Sequence, residues 1–189
     1  MATLMMVTAA YSLASPITYI YSGTGSGSIG GSSFADEAFT ITATADTSNI
    51  SPWCCSPLQN THLSTTIKIG KAAVFTILTP SHTWLQEGFA LGLGENLSNN
   101  WLSLPAAALV NVGYGLATAI GPVTYVSPWD VYQFNGISTS GGALTFTSIS
   151  TATFEAVVPG AVPEPSSMLL LATGMLGLAV GRRVYLLKP

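Results

Sequence analysis

A chain of 189 residues holds one ordinary domain plus terminal appendages, and only 7% of its residues are charged, against roughly 25% in typical soluble domains. The net charge of -3 divides into -6 up to Glu164 and +3 beyond it, because only Lys68 and Lys71 offset eight acids before the tail. An acidic body lacks the clustered Lys and Arg that phosphate contacts need, which excludes nucleic acid as a partner.

Residues 1–14, MATLMMVTAAYSLA, are uncharged and mostly apolar and end in the small-x-small pattern Ser12-Leu13-Ala14. This is predicted to be a signal peptide cut after Ala14, and its missing basic n-region points to a truncated or divergent leader. An N-terminal β-strand is the competing expectation.

From residue 15 to 158 the dominant period is two. Apolar and hydroxylated side chains alternate over 39–44, 64–69, 74–78, 144–149 and 151–157, the pattern of half-buried strands. Weaker strands are expected at 17–21, 84–91, 107–112, 122–126 and 131–134. Turn signals lie at 23–27, 46–49, 70–71, 99–100, 135–136 and 140–142. Eight to ten short strands without a sustained helical period predict an all-β fold, an antiparallel β-sandwich or jelly-roll-like ectodomain, with a partly open barrel as the close alternative.

Motifs within this body point away from common chemistry. Gly25-Ser26-Gly27-Ser28-Ile29-Gly30 satisfies G-x-G-x-x-G, but a β pattern follows where a dinucleotide site needs a helix, so a flexible turn is expected. Cys54 and Cys55 are adjacent in a Pro-rich loop and suit two thiols or a strained local bridge better than a disulfide framework. His62 and His82 stand twenty positions apart and are predicted to be surface or loop histidines. Asp36, Glu37, Asp46, Glu87, Glu95, Asp130 and Glu155 are expected to be solvated carboxylates, although a glycosidase would draw its pair from such a set. No catalytic residue, metal site or cofactor is expected. Trp53, Trp84, Trp101 and Trp129 divide by neighbourhood: Trp53 and Trp129 each follow a proline and are placed in loops, where core or lid packing is the first expectation and glycan contact the alternative.

Residues 159–162 read as a linker. The stretch 166–181 is uncharged, and its six Leu and Val residues from Leu169 to Val180 favour insertion by on the order of 2–4 kcal/mol. It is shorter than the roughly 20 residues of a full span. Pro165 suits the first turn of a helix, and Arg182 and Arg183 suit snorkelling to headgroups. A single C-terminal transmembrane helix with cytoplasmic arginines and an exported body is therefore predicted.

Val162-Pro163-Glu164-Pro165-Ser166-Ser167, the Leu-rich stretch and Arg182-Arg183 closely resemble the PEP-CTERM sorting domain of Gram-negative bacteria. The resemblance is confined to residues 163–189 and their immediate lead-in, and the tail runs on past the arginines to Pro189. It implies processing by an exosortase-type membrane enzyme, transient residence in the inner membrane, and association with exopolysaccharide. It makes Pro163, Glu164 and Pro165 the sorting motif and Arg182 and Arg183 the stop-transfer pair. The expected product is a non-enzymatic protein of the cell surface or extracellular matrix. A carbohydrate-binding module using loop aromatics is the alternative, and a hydrolase the more distant one.

Overall fold

The computed structural model describes residues 15–52, 57–96, 99–105, 113–126 and 128–159. They form ten strands: β1 (Pro16–Ile29), β2 (Ser32–Pro52), β3 (Leu58–Ile69), β4 (Val74–Thr76), β5 (His82–Gln86), β6 (Ala90–Asn96), β7 (Asn99–Pro105), β8 (Ile120–Val126), β9 (Ile137–Thr139) and β10 (Gly142–Val157). The fold is all-β, and every strand pairing is antiparallel. Hydrogen bonds join the strands into one curled sheet, ordered β7-β6-β5-β3-β2-β1-β10-β8, with β4 on β3 and β9 on β10.

Two bridges draw the edges of this sheet together. Ile77, next to β4, pairs with Thr139 of β9, so the ladder closes through β3, β4, β9, β10, β1 and β2. At the other end, Ser103 on the outer edge of β7 pairs with Trp129, shortly after β8. The curl buries the inward face: Ile17, Tyr19 and Tyr21 of β1 meet Phe39 and Ile41 of β2, Ile67 of β3, Leu91 and Leu93 of β6 and Phe154 of β10. Outward positions carry the hydroxyls of the alternation, as in the cross-strand pairs Thr44–Ser64 and Thr124–Thr153.

Several turn and strand expectations are corrected. Residues 23–27 are not a turn but the middle of β1. Gly23, Gly25 and Gly27 continue the inward row of Tyr19 and Tyr21, and the rings of Phe39, Phe146 and Phe34 lie over them at 3.0–3.1 Å from where a Cβ would stand. Aromatic rings cover glycines that would otherwise leave a strand unfilled. Two bulges sit here in β10, and their extra residues Ser150 and Thr147 donate hydroxyl hydrogen bonds to the carbonyls of Thr24 and Ser26. The opposing bulge in β2 has Asp36 at positive φ, its N–H donated to the Ser26 hydroxyl at 2.9 Å.

Residues 46–49 continue β2, with Asp46 accepting the Ser48 N–H, and 99–100 begin β7 rather than turn. The predicted strand at 84–91 is a hairpin, broken at Glu87-Gly88-Phe89 between β5 and β6, with Gly88 at positive φ. The predicted strand at 131–134 is a 3-10 turn, Val131–Gln133. The two predicted strands at 144–149 and 151–157 are one, β10, running through its bulge. The turns at 70–71 and 140–142 lie where expected.

The predicted strand at 107–112 falls outside the described residues. So do the leader with Ala14, the Cys54-Cys55 loop with Trp53, and the apolar run at 166–181. Among the described residues, no helix is long and apolar enough to cross a membrane.

Candidate functional site

Two side-chain clusters stand out from the β framework, one inside and one outside. The inner cluster corrects the surface assignment of both histidines. His82 is buried, and the imidazole of His62 lies among Ser81, Thr83, Thr65 and Tyr19. The pairing of β3 with β5 brings them together, since Thr61 opposes His82 and Asn60 opposes Thr83.

The hydrogens of this cluster can be assigned from its geometry. Tyr21 is 3.0 Å from the Gly92 carbonyl, which can only accept, so the phenol donates there. Thr83 must then donate to Tyr21 at 2.9 Å, and His62 Nε2 must carry the proton it donates to Thr83 at 2.9 Å. His62 Nδ1 is left as an acceptor for the Ser81 hydroxyl at 2.9 Å, with Thr65 bonded to Ser81 at 2.7 Å. A second branch runs from Asn60 Nδ2 to Tyr19, whose phenol donates to the Leu116 carbonyl at 2.6 Å.

Burial, and then the like charge of His82, pushes His62 down to about 3, and burial also lowers His82. Burial pushes Tyr19 up to about 12 and raises Tyr21 and Tyr114 well above the ordinary phenol value. The Ser81–His62 distance would suit a nucleophile and its base. A general base works best with a pKa near the working pH, and an imidazole this weakly basic, against a buried serine already shared with Thr65, serves as a clamp between β1, β3 and β5. Tyr21→Phe should cost about 1–3 kcal/mol, because the Gly92 carbonyl and Thr83 lose their partner where water does not replace it. A denaturant melt monitored by tryptophan fluorescence measures that loss.

The outer cluster contains Trp129, one of the two tryptophans placed in loops by sequence. Trp84 and Trp101 are buried, the latter stacked on Phe134 at 5.5 Å, whereas Trp129 is 45% exposed. Its ring lies 5.8 Å from that of Phe89, itself 54% exposed at the tip of the β5–β6 turn. Sequence reasoning missed Phe89 because it assigned that residue to a strand interior. Ser103 anchors Trp129 by two backbone hydrogen bonds, of 2.8 and 3.1 Å, and its hydroxyl donates to Asp130 Oδ2 at 2.5 Å. That carboxylate contact accompanies a left-handed backbone at Asp130, a conformation Asp tolerates better than most residues.

Of the other described acids, Asp36, Glu37 and Asp46 belong to β2 and Glu95 to β6. Asp36 contacts Ser26, Asp46 contacts Ser48, and Glu95 accepts from Asn99. Among the described residues, no group of three or more His, Cys, Asp or Glu could hold a metal ion.

Pro163, Glu164 and Pro165, predicted as the sorting motif, and Arg182 and Arg183, predicted as the stop-transfer pair, lie outside the described residues. Residues 161–183 match the family model of the PEP-CTERM protein-sorting motif. The chain carries a PEP-CTERM sorting signal. This motif is a substrate signal for exosortase, a membrane enzyme, and implies export with membrane processing toward the cell surface. The match covers the C-terminal segment alone. No curated protein and no solved structure matches the chain.

Proposed function

We propose that this is a non-enzymatic protein of the cell surface or extracellular matrix, held in the inner membrane by its tail, processed by exosortase at Pro163-Glu164-Pro165 and associated with exopolysaccharide. The match at residues 161–183 carries this reading. In it, Ala14 marks the end of the exported leader, the apolar run at 166–181 retains the chain during sorting, and Arg182 and Arg183 stop its transfer. The low charge and hydroxyl-covered strands support a domain that works by surface contact, and the half-buried His62 is engaged by Ser81 and Thr83.

Deleting Pro163–Pro165 in a host that makes the sorting enzyme should leave a longer precursor in the membrane fraction. Intact mass and fractionation read the result. Unchanged size and location in the deletion variant would overturn the sorting assignment.

A further inference from the structure

The outer aromatic pair suits a ligand of narrow chemistry. Two rings, each about half exposed, offer on the order of 200 Å² of apolar surface, well short of the roughly 800 Å² per partner of a stable protein interface. That area matches one sugar ring, whose C–H face stacks on an aromatic while its hydroxyls seek polar atoms at the edge. Such atoms follow Trp129 closely in the chain. Asp130 Oδ2 is taken by Ser103, but a carboxylate has about four acceptor positions. Three residues beyond Trp129, Tyr132 is 77% exposed, and its phenol accepts from Gln133 Nε2 at 2.9 Å.

Charge narrows the ligand further. Glu87 shares the turn with Phe89, Asp130 adjoins Trp129, and no Lys or Arg occurs from residue 72 to 159. A uronate or sulfated sugar would bring its charge against these carboxylates without a cation to offset it. The Ser103 anchor also fixes Trp129 before any ligand arrives, which lowers the ordering cost of binding.

We propose that Phe89 and Trp129, edged by Asp130 and Tyr132, form a binding site for a neutral pyranose polysaccharide. The site deepens the matrix assignment above, on whose export of the β-domain its biological use rests, but binding can be measured independently of sorting.

The test is affinity electrophoresis of the full-length protein in detergent through gels containing a neutral β-glucan, dextran or galactomannan, with alginate and polygalacturonate as anionic gels. At least one neutral polymer should retard the protein, and alginate and polygalacturonate should not. Trp129→Ala and Phe89→Ala should each weaken the retardation about tenfold or more, with thermal melts near that of the parent because both side chains are exposed. No retardation in any neutral gel, preference for the anionic gels, or undiminished retardation of a folded Trp129→Ala variant each overturns the site. A protein that is processed normally yet binds no neutral glycan rejects the site and leaves the sorting assignment standing. One that binds but is not processed does the reverse.

Discussion

Below about pH 6.5 the β-domain is expected to lose stability steadily as the pH falls toward 3. His62 binds its proton near pH 6.5 in the unfolded chain but only near pH 3 in the fold. Over that interval the unfolded state therefore holds more protons, and each pH unit lowers stability by about 1.4 kcal/mol for this one group. The stability His62 contributes is fully present above pH 6.5 and has been lost by pH 3. His82, lowered in the same direction, adds to the slope. The phenols of Tyr19, whose ring meets His62, and of Tyr21, linked to it through Thr83, are pushed upward and stay neutral throughout. A small domain has only about 5–15 kcal/mol in total, so the midpoint in urea should fall steeply between pH 6 and 4. His62→Gln should be less stable at pH 7, having lost a clamp, but show a flatter pH profile. Equal slopes for parent and variant would remove His62 as the source.

Gly27→Val, or Gly23→Val, should cost about 3 kcal/mol or more. A Cβ at Gly23 would collide with the Thr151 carbonyl oxygen and press on the Phe39 ring, and one at Gly27 would collide with the Thr145 carbonyl. Both obstacles are backbone atoms of β10 held by the sheet, so neither can rotate aside as a side chain would, and overpacking of this kind is among the costliest single changes. Gly115 has open space around its Cβ position and no unusual φ. Gly115→Ala should change stability by no more than about 0.5 kcal/mol. Urea titrations of the three variants compare them directly, and a Gly27→Val protein as stable as the parent would mean that β1 and β10 are not packed this closely.

The same glycines show where the sequence could and could not be read. Residues 39–44 declare themselves because a strand with one wet face must alternate, and no other element produces that period. Gly23, Gly25 and Gly27 obey the same alternation, yet glycine reads locally as a breaker. Only Phe39, Phe146 and Phe34, brought from elsewhere in the chain, convert them into core. His62 was misplaced for a related reason: its partners Ser81 and Thr83 are ordinary hydroxyl residues about twenty positions away, and no spacing rule marks them. The predicted strand at 84–91 hid a turn because Gly88 interrupts a run whose flanks are both apolar. That error also concealed Phe89, whereas Pro128 flagged Trp129. The sorting tag is legible because its information is linear: the match lies in one stretch, residues 161–183, without assembly from distant parts.

The central position of β1 bears on the order in which the protein matures. Its two neighbours are β2, which follows after a two-residue turn, and β10, which begins more than a hundred residues later. A pairing of such long range cannot form until the intervening chain is free, and contacts of this separation are slow to close. During passage through a membrane from the N-terminus onward, β1 would emerge first and its second partner almost last, with Val157 only four positions before the sorting match begins at residue 161. The interior therefore closes only once the residues up to Val157 are available to pair. Until β10 pairs, the second edge of β1 has no partner strand, and an unpaired edge is where aggregation and proteolysis begin.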